Sequence, residues 1–492
     1  MGETSLNQPS LEPLTPAVSH RPLCVDLDGT LVKSDTLLDS LLLLVRSRPL
    51  DALRFPLWLL RGKAALKGEV GARVALDVRH LPYNRSVMAY LETERGEGRK
   101  LYLATGADQE LARRIADHLG LFEGVLASDG RTNLTAGNKL EGLRRTFGDE
   151  GYDYIGNAGP DLPLLQHAGS AMLANPTPAL RTRLRSRGVT VEREFRDRSS
   201  RTKAVLKALR LHQWAKNILI FVPMLLAHAL RADLFAETAI AFVSFSLCAS
   251  ATYIANDLLD IESDRRHPRK RNRPFAAGDL PVLAGTLISA LLLGGAIAIA
   301  ATLLPPVFLL WLFVYLVGTL SYSLVLKRVV LVDVLVLSGL YTVRLLAGAS
   351  ATDVPISPWL AAFSVFLFLS LAMVKRFSEL QNTRARGQAV ANGRGYLLGD
   401  LEQLRSFGTA SAYASVVVFS FYIGESRKSG VLYQHPTRLW LITPLMIYWL
   451  SRVWLLASRG ELDEDPVIFA VTDRISLLTG LAVAVIAAIA AL

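Results

Sequence analysis

The sequence predicts two domains of different class: an α/β domain with a Rossmann-like core over about residues 21–180, and an all-α polytopic membrane domain of nine transmembrane helices over 207–492. Three observations predict this. Over 492 residues the chain is 51% hydrophobic and 20% charged, with a mean hydropathy of +0.32, which does not suit one soluble core. The composition is uneven, because apolar stretches near bilayer-spanning length dominate only after residue 200. Before that point short apolar strand-like runs alternate with helical stretches, as an α/β fold requires.

Residues 1–20 are polar and proline-containing, so they are expected to form a flexible terminus without a signal peptide, and the domain behind them is expected in the cytoplasm. PLCVDLDGTLV, residues 22–32, reads as a strand ending in Asp26 and Asp28, followed at once by Gly29 and Thr30. LYLATG places Thr105 after a second strand, AGNKLEGL contains Lys139, and YDYIGNAGPDLPLL places Asn157 and Asp161 after another. Between Thr36 and Lys100 lies a mostly helical insertion. Its apolar run LLLLVRSRPLDALRFPLWLL is broken by Arg46, Arg48, Pro49, Asp51 and Arg54, which predicts a cap or a membrane-grazing helix pair instead of a span. Residues 181–206 are rich in charge and read as a connector, either a surface helix on headgroups or a solvated linker.

After residue 200 the spans are expected near 214–232, 235–255, 281–303, 305–325, 329–350, 356–375, 405–423, 436–456 and 473–492. With a cytoplasmic amino-terminal domain, the even-numbered turns return to the cytoplasm. Those turns carry Arg265 to Arg273, Lys327 with Arg328, Lys375 to Arg394, and Arg452 to Arg474, as the positive-inside rule requires. The formal net charge of +11 therefore suits a membrane surface better than nucleic acid. Cys24 and Cys248 lie far apart and indicate no disulfide scaffold. No zinc site, dinucleotide fingerprint, catalytic serine constellation or nucleic-acid module is visible.

The stretch NDLLDIESDRRHPRKRNRP, residues 256–274, follows the second expected span. Asp257, Asp260 and Asp264 recur at i, i+3 and i+7, which places them along one helical face. Hard oxygen ligands at that spacing suit Mg²⁺ holding a phosphate-rich ligand. The basic block after them can complement phosphate oxygens or lie on anionic headgroups. Lys216, Lys327, Arg344, Lys375 and Arg376 sit near the ends of spans or, for Arg344, inside the apolar stretch VRLLAGA. Each can hold a phosphate, and each can equally be a snorkelling or topology residue. Trp214 reads as an interface anchor.

The run N-D-x-x-D-x-x-x-D followed by Arg273-Pro274 resembles the first aspartate-rich motif of the UbiA superfamily of intramembrane prenyltransferases, and the resemblance extends from about residue 205 to the end. RLHQWAKNILIFVP (210–223), Asp333 with Gly339, KRFSE (375–379), RGY (394–396) and DPVIFAVTD (465–473) are similar to its decaprenyl-phosphate phosphoribosyltransferase-like branch. The resemblance implies transfer of 5-phosphoribose from phosphoribosyl diphosphate to a polyprenyl phosphate, with Mg²⁺ held by Asn256, Asp257, Asp260 and Asp264. Gln213, Lys216, Asn217 and Arg273 are the implied substrate contacts. Leu337 stands where the superfamily has a second acidic pair after Asp333, which argues against ordinary prenylation by a prenyl diphosphate.

The amino-terminal motifs resemble haloacid-dehalogenase-type phosphatases, in which Asp26 would attack phosphorus and Asp28 would protonate the leaving oxygen. That resemblance adds Thr105 and Lys139 as phosphate contacts, Asp26, Asp28, Asn157 and Asp161 as the Mg²⁺ set, and a small helical cap over about residues 36–100. Asn157 replaces the usual aspartate of the fourth motif, which removes a charge from the metal set. A phosphatase here could remove the 5-phosphate from the transferase product. The expected partners are polyprenyl phosphate, phosphoribosyl diphosphate and the lipids of a bacterial inner membrane, with no nucleic acid; a homo-oligomer is compatible with the sequence. Prenylation of a small acceptor, or a scaffold or transporter with a tethered phosphatase, are the competing readings.

Overall fold

The computed structural model describes residues 21–129, 132–228, 231–385, 387, 395–429, 433–462 and 466–492. The expected flexible terminus 1–20, Arg394 and Asp465 lie outside them. Two compact units separate between Ser199 and Ser200.

The first unit is built on a six-stranded, all-parallel sheet in the order β3-β2-β1-β4-β5-β6. Its strands are β1 (Leu23–Val25), β2 (Leu101–Asp108), β3 (Gly124–Ser128), β4 (Asp153–Gly156), β5 (Ala171–Ala174) and β6 (Val191–Phe195). β1 is buried throughout, as a central parallel strand covered on both faces must be, which is why its sequence is a continuous apolar run. The charged stretch 181–206 differs from a simple connector. Its first part completes helix Pro178–Ser186 and supplies β6. VEREF suits that place because β6 is an edge strand, where charged side chains block further pairing.

Between β1 and β2 the insertion forms helices Thr36–Ser47, Pro49–Ala52, Phe55–Leu60, Lys63–Gly71 and Arg85–Gly96. Asp35 caps the first by accepting from the Leu38 amide at 3.0 Å. Pro49 and Pro56 each stand in the first turn of a new short helix, where a missing amide hydrogen costs nothing. The apolar run therefore folds into short pieces and makes no span. Trp58 turns inward onto Leu44, Leu66 and Val70, giving the insertion a small core of its own.

In the second unit, eight helices among the described residues are long and apolar enough to cross a membrane. They are Ala232–Leu259, Val282–Leu303, Pro306–Leu324, Val332–Ala351, Pro358–Ala385, Leu398–Glu425, Pro436–Ser458 and Arg474–Ala491. The chain has the makeup of a multi-pass membrane protein. The expected first span at 214–232 takes another form: a run of 3-10 turns, Leu211–Phe221, followed by the short helix Val222–Leu226. Hydropathy does not report helical pitch, and the 3-10 run carries His212, Gln213, Lys216 and Asn217 ahead of its apolar end.

That 3-10 run is fixed by side-chain bonds to helix Ala232–Leu259. Trp214 Nε1 donates to Ser250 Oγ at 2.9 Å, and Asn217 Nδ2 to Ser246 Oγ at 2.9 Å. Trp214 is thus a bonded packing residue. On the other side the run touches helix Val332–Ala351 so closely that a Cβ on Gly348 would lie 2.1 Å from the Ile220 carbonyl oxygen. Asp473 is the amino-terminal cap of helix Arg474–Ala491, accepting from the Ser476 amide at 2.8 Å and from Arg452 at 2.7 Å.

Gly348→Ala should therefore force the 3-10 run away from its neighbour and cost about 1–3 kcal/mol by overpacking, read as a lower melting temperature in detergent. Gly339→Ala on the same helix, with nothing within 4 Å of the added carbon, should leave that temperature unchanged or raise it.

Candidate active sites

Sheet order positions the amino-terminal site. β1 lies between β2 and β4, where the winding of the sheet reverses direction, and such a point leaves a crevice at the carboxyl ends of the strands. Asp26 follows β1 directly, Thr105 lies within β2, and Asn157 follows β4 directly. Three motifs distant in sequence therefore meet on adjacent strands.

Lys139 Nζ lies 2.7 Å from Asp26 Oδ1 and 3.6 Å from Asp161 Oδ1, and donates to the Tyr154 hydroxyl at 3.0 Å. Thr30 donates to Asp26 Oδ2 at 3.2 Å. Asp28 Oδ1 accepts the Thr36 amide at 2.8 Å, tying it to the first helix of the insertion. Thr105 Oγ1 accepts from the Ala107 amide at 3.0 Å. Gly29 has a φ of +79°, and a Cβ there would fall 1.9 Å from Asn157 Nδ2, so only glycine allows Asn157 its place.

Asp161, expected among the metal ligands, already has both oxygens engaged. Oδ1 accepts from Tyr154 at 2.9 Å, and Oδ2 accepts the amides of Asn157 and Ala158 at 3.0 and 3.2 Å. Its role in this structure is to shape the loop and to balance Lys139.

Burial pushes the Asp26 carboxyl up to about 6, against the pull of Lys139. Desolvation, with the charge of Asp35, pushes Asp28 up to about 7. Burial opposes the charge on Lys139, yet Asp26 and Asp161 hold its pKa above the ordinary value. Lys67 also reaches this crevice, donating to the Gly106 carbonyl at 2.5 Å and to Asn133 Oδ1 at 2.8 Å. An isolated lysine in KAALKGEV carried no sequence signal.

In the membrane domain the aspartate stripe divides. The helical path kinks at Asp260, where helix Ala232–Leu259 gives way to Ile261–Arg266. Asp257 is buried and accepts from Arg210 at 2.5 Å and from Arg273 at 3.0 Å. Arg273 also donates to Asp264 Oδ2 at 2.7 Å, so one guanidinium joins two aspartates, while Asp260 pairs with Lys327 at 3.4 Å. Arg210 was not anticipated as a site residue; it sits in a left-handed backbone conformation between helix Arg201–Leu209 and the 3-10 run.

Among the described residues no three His, Cys, Asp or Glu side chains form a ready metal cage. Asn256 Oδ1 is nevertheless buried without a hydrogen-bond partner beside Asp257. An orphaned carbonyl oxygen and a neighbouring carboxylate are donors that fit Mg²⁺, which is usually held by one or two carboxylates together with the phosphates of its ligand.

The other predicted cations fall into two further clusters. Arg344 is buried, with Nε donating to Asn217 Oδ1 at 2.9 Å and Nη1 to the Leu340 carbonyl at 2.5 Å. The rings of Phe245, Tyr315 and Tyr341 surround it at 5.5, 4.9 and 5.4 Å. Lys216 Nζ faces the same Tyr341 ring at 5.8 Å, and Gln213 is half-buried on the same 3-10 run. Arg376 belongs elsewhere: its Nε donates at 2.6 Å to the fully buried Asp333, whose other oxygen accepts from the Tyr396 hydroxyl at 2.5 Å. Arg376 also reaches Glu379 and the Tyr322 hydroxyl. Lys375, next in the chain, is half-buried.

A half-buried asparagine beside a buried aspartate, closed by arginines at the end of a long apolar helix, can take a cation together with a phosphorylated ligand. The UbiA prenyltransferase family matches residues 218–478, and the chain belongs to it. Among its relatives, the uncharacterized protein y4nM of Sinorhizobium fredii is 39% identical over 94% of this chain and 90% of its own, so the likeness takes in both domains. The nodulation protein NoeC of Azorhizobium caulinodans is 36% identical over 55% of this chain and 88% of its own. The decaprenyl-phosphate phosphoribosyltransferase of Mycobacterium tuberculosis is 34% identical over 56% of this chain and 91% of its own.

Two outcomes follow from these geometries. Asp333→Asn should cost about 1–3 kcal/mol by leaving the buried Arg376 guanidinium with Glu379 as its remaining acidic partner and by weakening the acceptor for Tyr396; adding Arg376→Met should restore much of the lost melting temperature. For Asp28, the ordinary pKa of 3.8 rises to about 7 in the folded chain. As pH climbs from about 4 to about 7, the unfolded chain releases this proton first, so wild-type stability falls relative to Asp28→Asn and then levels off. Melting curves of both proteins in chelator, taken across that window, measure the difference.

Proposed function

We propose that the membrane domain, taken as residues 207–492, transfers 5-phosphoribose from phosphoribosyl diphosphate to a polyprenyl phosphate and releases diphosphate. The observation that carries this reading is the state of Asp333. Its two oxygens are engaged by Arg376 and Tyr396, so the carboxylate at the start of helix Val332–Ala351 has neither oxygen unbonded, whereas the Asn256–Asp257 end keeps an unpartnered carbonyl oxygen and, among the described residues, is better suited to a metal and diphosphate. One diphosphate site is enough when the sugar donor carries the diphosphate and the lipid carries a single phosphate. The likeness to decaprenyl-phosphate phosphoribosyltransferase supports the same substrates.

In this reading Asn256, Asp257 and Asp264, with Asp260 at the kink, hold Mg²⁺, which neutralises charge on the leaving diphosphate. Arg210 and Arg273 are placed to turn from Asp257 and Asp264 onto phosphate oxygens as the donor arrives. An oxygen of the lipid phosphate attacks the anomeric carbon as its bond to diphosphate breaks. Lys327, Arg344, Lys216, Lys375 and Arg376 remain as candidate contacts for the other phosphates, with Gln213 and Asn217 lining the donor. Arg344, held by the Asn217 and Leu340 carbonyl oxygens, has a stronger claim than Arg376, which is already neutralised by Asp333.

The amino-terminal domain, taken as residues 21–180 with its cap at about 36–100, is proposed to remove the 5-phosphate. An Asp26 oxygen attacks phosphorus, Asp28 gives its proton to the departing ribose oxygen, and water then cleaves the aspartyl phosphate. Thr105 and Lys139 bind the phosphoryl oxygens, and Asp26, Asp28 and Asn157, with Asp161 behind them, form the Mg²⁺ site. The raised pKa of Asp28 suits a proton donor. The setting is the inner membrane of a bacterium, with this domain on the cytoplasmic side where the sugar donor is available. Joining the domains raises the effective concentration of product at the second site.

The test is mass spectrometry of lipids formed by purified protein from Mg²⁺, phosphoribosyl diphosphate and a polyprenyl phosphate. Wild type should yield ribosyl lipid without the 5-phosphate, Asp257→Asn should yield no lipid product, and Asp26→Asn should accumulate the 5-phosphorylated lipid. Transfer from a prenyl diphosphate instead would replace this reading with ordinary prenylation.

A further inference from the structure

We propose that the outer face of the insertion, Leu50 to Leu60, is a lipid-docking surface that rests on an anionic bilayer. Five leucines within eleven residues are turned outward: Leu50, Leu53, Leu57, Leu59 and Leu60 are 80, 76, 60, 55 and 85% exposed. Folding of the insertion does not use them. Its core is already closed on the inner side by Trp58, 4% exposed, which packs on Leu44, Leu66 and Val70 with Phe55 beside it. Helix Phe55–Leu60 therefore presents aromatic side chains inward and leucines outward. An exposed patch of this size on a soluble domain marks a contact surface.

The charges around the patch select its occupant. Between Arg46 and Lys63 stand five basic residues, Arg46, Arg48, Arg54, Arg61 and Lys63, against the single acidic Asp51. Leucines rimmed by arginine and lysine are the composition of an interfacial segment: the apolar side chains enter the boundary between headgroups and acyl chains, and the cations meet anionic headgroups. Pro49 and Pro56 divide the segment into short helices, so it can lie on a surface but cannot span one. A bilayer is always at hand, because the same chain carries eight helices long and apolar enough to cross one. This inference stands on the insertion alone and holds whether or not Asp26 hydrolyses a phosphate ester.

The experiment uses the full chain in nanodiscs of phosphatidylcholine, with and without phosphatidylglycerol. Leu60→Cys, and separately Leu53→Cys, carries an environment-sensitive fluorophore, the native Cys24 and Cys248 being buried; Thr146→Cys on the α/β core serves as control. Docking predicts blue-shifted emission from the two insertion positions, loss of that emission when acyl-chain nitroxide lipids are present, and a larger effect with phosphatidylglycerol. The control should keep solvent-like emission. Leu50→Asp with Leu57→Asp should abolish the shift without lowering the melting temperature. Solvent-like emission in both lipids would overturn the proposal. So would a blue shift that nitroxide lipids leave untouched, which would mean that protein covers the patch, and so would equal quenching with and without the anionic lipid.

Discussion

Arg273 is the hinge on which the membrane-domain site depends. A carboxylate surrounded by apolar helices is expensive unless a cation shares its environment, and Arg273 meets that need for Asp257 and Asp264 at once. The same requirement explains Asp333 with Arg376 and Asp260 with Lys327. With guanidinium groups in place, the charges of neighbouring aspartates are balanced within the protein. Arg344 is held differently, by neutral oxygens and three aromatic faces, with no acidic partner among the described residues.

The amino-terminal domain solves a related problem with sheet topology. Strands β2, β1 and β4 deliver Thr105, Asp26 and Asn157 to one crevice, and Lys139 neutralises the carboxylates collected there. Asn157 brings a carbonyl oxygen without charge. With Asp161 engaged by Tyr154 and two backbone amides, the anionic part of any metal site rests on Asp26 and Asp28.

Much of this was legible in the sequence because it is local. The strand-Asp-x-Asp pattern announced the end of β1, and the prolines and arginines after Leu44 announced that the apolar run would not span. The aspartate spacing at 257, 260 and 264 singled out three carboxylates but not their partners, since the arginines and lysine that meet them come from other elements. Partners brought together by tertiary packing were not legible: Arg210 lies 47 positions from Asp257, and Tyr396 lies 63 from Asp333. Hydropathy placed eight of the expected spans on long helices, while at 214–232 the described residues form a 3-10 run and a short helix, a difference of pitch to which hydropathy is blind.

That pitch has its own consequence. A 3-10 run advances about 2.0 Å per residue and an α-helix about 1.5 Å, so three residues of one cover the same distance, about 6 Å, as four of the other. Trp214 and Asn217 are three apart, and Ser250 and Ser246, which they meet, are four apart. The two unlike helices thus run commensurately, like gears cut to different counts but equal spacing. Rewound as an α-helix, the 211–221 segment would shorten and turn its three-residue column out of line. Asn217 would then leave Arg344, and that guanidinium would lose one of the neutral oxygens that hold it in place.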